Sequence, residues 1–435
     1  MEESRKAVIS NRIYLKPKDS EHLRHIISEL TYRIETRRGN KSKVKNIEII
    51  KNFKNLAGGI VSIPQGRLDL VPAGYELVDK RQTNEVPFPL PKYPLRDSQQ
   101  PVFDEVKDTC FINALVGWGK TFTALHVARK LGQKTLVVVH NTMLRDQWIE
   151  EVQTLFGITP GVIGTGQFDI EDHCIVIGNI QSVVKHISKI NKEFGTVILD
   201  EAHHVPATTF SELIDGMYAR YRIALSGTME RSDGKHIVFR DYFGNKIFKP
   251  PQSHTLNPTV KIIQTGMSLP SGVTWVEKIN HLLYDEDYQK FVAGIANIER
   301  SHGHAVLIVA DRLEFLKQVK EKIGEDCILI TGETSFEERK KLIEEVETGK
   351  KMCVAGSRQI FSEGISINRL SCVILAVPSA NLVNLEQVIG RVMRQHPEKP
   401  IPLVVDIAFS SPVEKRQLGL RTGFYMDKGW KVGRV

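Results

Sequence analysis

Lys120 and Thr121 close the segment ALVGWGKT (114–121), and their types and spacing bear most directly on chemistry. An apolar stretch with Phe111 and Ile112 precedes them. A helix-like stretch with Ala124, Leu125, Val127, Ala128 and Leu131 follows. Strand, Gly-containing loop, Lys-Thr and helix make a phosphate cradle. Backbone N–H groups of the loop around Gly117 and Gly119, with the helix N-terminus, face the β- and γ-phosphates. Lys120 adds a point charge, and the Thr121 hydroxyl reaches Mg²⁺. Ala114 stands where the pattern usually has its first Gly, and the loop alone also fits an ordinary strand-turn-helix.

A pair of carboxylates decides between these readings. TVILDEAHH (196–204) is an apolar strand ending in Asp200 and Glu201. A carboxylate at a strand tip beside a phosphate loop is where Mg²⁺ must be held. Asp200 is expected to orient the metal-bound water shell, and Glu201 to position and deprotonate the attacking water. The alternative is an acidic N-cap of the next helix. QVIGRVMR (387–394) adds positive charge, with Arg391 and Arg394 three residues apart on one face of an expected helix. Phosphoryl transfer needs cations at the developing γ-phosphate charge.

Together these motifs resemble those of superfamily-two helicases, and the resemblance runs from about residue 95 to 410. LRDSQ (95–99) looks like the adenine-reading motif, with Arg96 and Gln99 in the base-contacting positions. ALVGWGKT resembles motif I, and VVVHNTMLRDQW (137–148) resembles motif Ia, which implies DNA contacts from Thr142 and Arg145. IGNIQSV (177–183) looks like the DNA-contact motif carrying Gln181 and Ser182. DEAH (200–203) is similar to motif II and LSGT (225–228) to motif III. The resemblance gives His203, Ser226 and Thr228 the coupling of nucleotide state to DNA grip. VAGSRQIFSEGISI (354–367) resembles motif V, implying a DNA contact from Ser357 and an ATP contact from Gly364. QVIGRVMR resembles motif VI, which adds Gln387 to the catalytic set. The chain departs from the family's usual pattern at Trp118, at Met229 after motif III, and at Ser366, where motif V usually carries Asp. Within the superfamily it looks most like the UvsW-type phage recombination helicases and the XPB-like branch.

Those motifs need elements to position them. From residue 95, strands are expected near 111–114, 135–139, 174–177, 196–199 and 222–225, alternating with helices. This is the pattern of a parallel sheet whose ligands gather at the strands' carboxyl ends. The segment 241–258, rich in proline, carries the chain out of this core. HAVLIVA (304–310), DCILITG (326–332), MCVAGS (352–357) and CVILAV (372–377) are strand candidates of a second α/β core. The family resemblance implies that both cores are RecA-like, with Arg391 and Arg394 acting across a domain boundary.

The remaining residues form a basic N-terminal segment. Residues 1–94 carry 18 Lys and Arg against 11 Asp and Glu, an excess of +7 within a net charge of +8. Such an excess beside a nucleotide motor points to nucleic acid. It also fits a basic face kept for solubility. A small α+β domain is expected, with a strand over 9–16, a helix from Ser20 to Ile34, a basic loop over 37–46 and a strand pair within 58–72. VPFPLPKYP (86–94) should be a semi-rigid linker. The expected organisation is therefore 1–94 as a basic DNA-binding domain, 95–250 as the first RecA-like domain, and 251–435 as linker and second RecA-like domain.

No apolar run reaches the roughly 18 residues of a bilayer span, and MEESRKAVIS has no apolar signal core. A soluble, intracellular protein is expected. The five cysteines form no C-x-x-C pair, and His22 and His25 have no partner ligands nearby in sequence. Neither a zinc site nor a redox pair is expected. No nuclease domain is expected after the second core. The chain is read as an ATP- and Mg²⁺-dependent DNA helicase or translocase acting, as a monomer, on forks and Holliday junctions. A duplex translocase that does not separate strands and an RNA-dependent ATPase are the alternatives. An inactive DNA-binding scaffold is disfavoured by Lys120, Glu201, Gln387 and Arg394.

Overall fold

The computed structural model describes residues 5–37, 45–114, 117–201, 207–227, 238–250, 256–363, 365 and 367–435. Residues 1–115 with 119–251 form one compact unit, and residues 116–118 with 252–435 form another.

The first unit begins with a short hairpin. β1 (Lys6–Ile9) runs antiparallel to β2 (Arg12–Leu15), with Ile9 opposite Ile13. The stretch expected as one strand over 9–16 therefore turns at Ser10 and Asn11, residue types that supply side-chain bonds in turns. The Ser10 hydroxyl donates to Asn11 Oδ1 at 3.1 Å. α1 (Ser20–Glu29) starts at Asp19, whose carboxylate accepts from the His22 N–H. It stops five residues short of the expected Ile34. The Thr31 hydroxyl takes the Ile27 carbonyl at 2.6 Å, and Thr31 opens β3 (Thr31–Arg37). β3 pairs with β4 (Lys45–Lys51), Tyr32 opposite Ile50. Residues 38–44 of the expected basic loop lie outside the described residues; the loop's flanks are strand.

β5 (Lys54–Asn55), β6 (Val61–Pro64) and β7 (Glu76–Asp79) complete a five-stranded sheet of order β5-β6-β2-β1-β7. The strand pair expected within 58–72 is one strand and a 3-10 turn at Leu68–Leu70, because β6 takes its partners from β2 and β5. Ala7, Ile13, Ile26, Leu30 and Ile63 fill the module's core.

The Pro-rich segment is pinned along its length. The Val86 N–H donates to Gly132 O, the Lys92 N–H donates to Leu155 O, and the Phe88 ring meets the Phe156 ring edge-on. Proline offers no N–H, so the non-proline residues carry these bonds.

α2 (Gln100–Glu105), β8 (Cys110–Asn113), α3 (Lys120–Leu131), β9 (Thr135–Val139) and α4 (Thr142–Phe156) come next. They are followed by β10 (Gly161–Gly164), β11 (Gln167–Asp169), β12 (Ile175–Asn179), α5 (Ile180–Lys185) and α6 (Ile187–Ile190). β13 (Thr196–Asp200), α7 (Ala207–Gly216), β14 (Tyr221–Ser226), α8 (Phe239–Phe243) and β15 (Ile247–Phe248) close the unit. The strands order β11-β10-β12-β9-β13-β14-β8-β15, all pairs parallel except β10–β11. Runs such as TLVVV and TVILD are buried at every residue, as parallel strands covered on both faces should be. α4 is closed at its start by Asn141, which accepts from the Leu144 N–H, and at its end by left-handed Gly157. A cap of the Asn141 kind contributes about 1 kcal/mol.

The N-terminal module is joined to this core by buried polar groups. The Arg12 guanidinium, 2% exposed, binds both carboxylate oxygens of Asp215 on α7 at 2.6 and 2.7 Å. Asp241 on α8, 0% exposed, accepts from the Tyr32 hydroxyl, the Asn52 amide and Arg67. Burial works against the Arg67 charge, but hydrogen bonds to Asp69, Glu29 and Asp241 overcome it and hold the guanidinium ionised. Gly66 lies so close that a Cβ there would sit 2.5 Å from Gly244 N and 2.7 Å from Asp241 O. Only glycine fits this approach. From β14, Arg222 donates to Asn11 O at 2.9 Å.

In the second unit, β16 (Thr259–Gln264), α9 (Trp275–Leu283), α10 (Glu286–Ser301), β17 (Ala305–Ala310), α11 (Leu313–Ile323) and β18 (Cys327–Ile330) come first. Next are α12 (Phe336–Glu347), β19 (Cys353–Ser357), α13 (Arg358–Glu363), β20 (Leu370–Leu375) and α14 (Leu382–Val392). β21 (Leu403–Ala408), α15 (Pro412–Asp427) and β22 (Lys431–Arg434) end it. The sheet is all parallel, in the order β18-β19-β17-β20-β21-β16-β22. Both large sheets are RecA-like, so the fold is mixed α/β with two parallel-sheet domains and a small N-terminal sheet module.

All five cysteines are free thiols, and four are buried. His22 is occupied by Leu70 O and the Lys18 N–H. No described helix is long and apolar enough to cross a membrane.

Candidate active site

The candidate catalytic residues of the first unit sit at the carboxyl ends of three adjacent strands, β13, β14 and β8. Asp200 lies opposite Leu225, and Ser226 lies opposite Asn113. The chain leaves β8 at Ala114, whose N–H donates to Ser226 O. It then passes Gly117 (φ +89°) and Gly119 (φ +95°) before α3 begins at Lys120. Glycine is favoured at 119 by its backbone, and two side-chain tips occupy the space beside it. Its φ is left-handed, and a Cβ would lie 2.4 Å from Gln99 Nε2 and 2.5 Å from Arg96 Nη2.

Arg96 and Gln99 thus pack against the loop. The buried Gln99 accepts from the Arg96 N–H with its Oε1 and directs its amide at Gly119 O at 3.4 Å. Burial lowers the Arg96 pKa. The Lys120 ammonium donates to Ala114 O at 2.9 Å and stands 3.9 Å from Glu201 Oε1. Thr121, half-buried, follows it on the first turn of α3.

Asp200 is 4% exposed. Its Oδ2 accepts from the Trp148 indole N–H at 2.8 Å, and its Oδ1 accepts from the Glu201 N–H at 2.9 Å. Burial, reinforced by the neighbouring Glu201 charge, pushes its pKa up to about 6. Sequence reasoning missed Trp148. It lies on α4 in register with Leu144, Val152 and Leu155, so periodicity reads it only as core. Glu201 itself has φ +48°, a left-handed conformation uncommon for a residue with a side chain.

The four expected DNA contacts of this unit collect at neighbouring strand ends, since Val139 of β9 pairs with Asn179 of β12. Thr142 is exposed at the first position of α4. Arg145, one turn on, donates to Asp146 and to the Thr165 hydroxyl, with Asn179 Oδ1 at 3.4 Å. Gln181 is exposed and Ser182 half-buried on the first turn of α5.

In the second unit, Ser357 ends β19, where its hydroxyl accepts from the Ile360 N–H at 3.4 Å. Gln387 and Arg391 are buried on α14, and Arg391 Nε donates to Phe361 O at 2.7 Å. Arg394 does not share their helix. α14 ends at Val392, where Lys399 donates to the freed Val392 carbonyl at 2.9 Å and to Leu370 O at 3.0 Å. Arg394, beyond this stop, reaches Asn368 Oδ1 at 3.4 Å. The expectation of one helix face for Arg391 and Arg394 is therefore corrected. His203, Thr228 and Gly364, with Met229 and Ser366, lie outside the described residues.

Residues 92–231 match the family described as "Type III restriction enzyme, res subunit", and residues 288–396 match "Helicase conserved C-terminal domain". The chain is 41% identical over 436 residues to "Probable helicase D10" of Escherichia phage T5, covering 98% of this chain and 95% of that one. The chain belongs to the superfamily-two helicases. This helicase is also 26% identical over 274 residues to "ATP-dependent DNA helicase uvsW" of Enterobacteria phage T4, across 56% of this chain and 52% of the relative. Among solved structures it resembles S. cerevisiae Dbp5 bound to RNA and ADP BeF3, with TM-score 0.57 and 14% identity over 78% of this chain and 89% of that one. That likeness concerns the fold alone. The helicase is an ATP-hydrolysing enzyme of nucleic acids.

The residues fit a nucleotide and a divalent cation. Gly119 brings a left-handed backbone to the head of α3, Lys120 supplies a cation there, and among the described residues the hydrogen-bond donors to the buried Asp200 are neutral. A carboxylate so placed favours a metal ion as its counter-charge.

Proposed function

We propose that this helicase is an ATP-driven DNA helicase or translocase that remodels branched duplexes, forks and Holliday junctions, working as a monomer in the cytoplasm of a phage-infected cell. The observation that carries the reading is the N-terminal module. It holds an excess of +7 and is fastened to the first motor core by buried ion pairs. A motor that tracks one strand needs a second, fixed hold on duplex DNA to recognise a branch, and a basic module rigid with the core provides one. The name of the phage T4 relative, a DNA helicase, agrees with DNA as the substrate.

At the site, Lys120 and the loop from Gly117 to Gly119 bind the phosphates, and Arg96 and Gln99 carry the adenine side. Thr121 and Asp200 would hold Mg²⁺, which would supply neutralisation of the phosphate charge. Glu201 takes the proton of the attacking water. Gln387, Arg391 and Arg394 serve the charge developing on the γ-phosphate, and Gly364 contacts ATP. His203, Ser226 and Thr228 couple hydrolysis to DNA, which Thr142, Arg145, Gln181, Ser182 and Ser357 grip. Strand displacement measured beside ATPase, with forks, Holliday junctions, tailed duplexes and RNA, tests this. Unwinding that favours branched DNA is expected. ATPase without strand separation would instead identify a duplex translocase, and stimulation by RNA alone an RNA-dependent ATPase.

A further inference from the structure

We infer that Trp148 is a positioning residue that sets the orientation of the metal-holding carboxylate of Asp200. The inference rests on the proposal that Asp200 holds Mg²⁺.

The geometry is specific. Trp148 is 1% exposed, and its indole N–H meets Asp200 Oδ2 at 2.8 Å across 52 residues of sequence. Asp200 Oδ1 is held by the Glu201 N–H at 2.9 Å. One donor on each oxygen fixes both the position and the plane of the carboxyl group. An indole N–H donates only, so Trp148 can never compete with Asp200 for a cation. Being neutral, it orients the carboxylate without cancelling its charge. Arginine or lysine at the same place would bind the carboxylate permanently and exclude Mg²⁺. α4, which carries Trp148, begins at Thr142 beside the proposed DNA contacts. The indole therefore stands on the same rigid rod as Thr142 and Arg145.

Partners of this outer kind typically contribute ten- to a hundredfold to metal affinity. In the full-length protein, Trp148→Phe should raise the Mg²⁺ concentration at the midpoint of Mg²⁺-dependent binding of a fluorescent ADP about tenfold. ADP affinity in EDTA should be unchanged. A merely structural role would weaken both equally, and that outcome overturns the inference. Asp200→Asn is the control. If it leaves the Mg²⁺ midpoint untouched, the assignment of Asp200 fails. If it shifts the midpoint while Trp148→Phe does not, only the role of Trp148 fails. The double variant should be no worse than Asp200→Asn alone, because Trp148 acts through that carboxylate. Should Trp148→Phe fail to fold, indole N–H resonances decide. Of the four tryptophans, the one moved by Asp200→Asn should also move on adding Mg²⁺ with ADP. Phe replacements of the other three identify it by elimination. Indole resonances indifferent to Asp200→Asn would end the inference.

Discussion

Asp200 and Asp241 are buried aspartates of the same unit, and they are partnered in opposite ways. Burial raises both pKa values. Around Asp241, the Tyr32 hydroxyl, the Asn52 amide and the Arg67 guanidinium supply three donors and a full positive charge. Around Asp200, an indole and a backbone N–H supply two neutral donors, the adjacent Glu201 adds a second negative charge, and the Lys120 ammonium beside Glu201 offsets part of it without bonding Asp200. The first arrangement is closed upon itself and fastens the N-terminal module to the core. The second leaves negative charge for a cation to answer. Burial alone does not distinguish a fastening from a binding site; the charge of the partners does.

The largest expected effect falls on the closed end. Beginning the chain at about residue 92 strips Arg12 from Asp215, Tyr32, Asn52 and Arg67 from Asp241, and Asn11 from Arg222. That truncation should be insoluble or unfolded by circular dichroism; a soluble, cooperatively melting product would break the comparison. Arg67→Ala should cost about 3–5 kcal/mol in urea unfolding. ATPase per folded molecule should stay near wild type. A change below about 1 kcal/mol would mean that Asp241 is served well enough by its neutral donors.

At the open end, Lys120→Ala and Glu201→Gln should each lower ATP hydrolysis at least about a hundredfold, close to 2.7 kcal/mol in the barrier. Their unfolding midpoints should remain near wild type. Glu201→Gln should still bind ATP, and a loss below about tenfold would remove Glu201 as the base. Arg391→Ala and Arg394→Ala should depress turnover more than nucleotide affinity, checked by comparing steady-state rates with equilibrium binding.

A middle-sized effect concerns DNA. Arg33 and Lys51 are exposed on the same face of the β3–β4 ribbon, beside exposed Ile47 and Ile49. Arg33→Ala with Lys51→Ala should weaken fork binding, flattening the slope of log K against log salt by roughly 0.9 for each phosphate no longer neutralised. An unchanged slope would move the second hold elsewhere in the module.

The smallest effect is one of sign. A carboxyl raised from 3.8 to about 6 makes the ionised form unfavourable in the fold. Stability from this group is therefore greatest below pH 4, declines as pH rises through about 6, and stays low above it. Without nucleotide or metal, Asp200→Asn should stabilise the protein by about 1 kcal/mol at pH 7.5, the amide group's poor match to one N–H offsetting part of the gain. The gain should vanish near pH 4. Destabilisation at both pH values, read by urea titration, would make Asp200 a fastening like Asp241.

Much of the motor was legible because its strands are fully buried. TLVVV, TVILD and AVLIVA need no alternation to be recognised, and the motifs at their ends follow from chain order. β21 was missed because Asp406 interrupts its apolar run; the charge is answered by Arg421 and Tyr425 on α15, which spacing does not reveal. The α1 boundary was missed because Leu23, Ile26, Ile27, Leu30 and Ile34 keep a helical period across it. Pairing with β4, a non-local event, takes Thr31 onward into a strand. The fastening of the module was illegible for a stronger reason. Arg12 and Asp215 are 203 residues apart and Arg67 and Asp241 are 174 apart, so no motif joins them. The Trp148 bond to Asp200 is hidden in the same way, whereas Lys120, Asp200 and Glu201 announce themselves by neighbours in sequence.

The backbone of Glu201 sets folding against catalysis at one position. At φ +48° a side chain costs on the order of 1 kcal/mol, a cost that glycine escapes. Glu201→Gly would relax the turn and remove the proposed base in the same step. A library of variants selected only for thermal endurance should therefore enrich glycine at 201 and accumulate well-folded proteins that bind nucleotide and never turn it over.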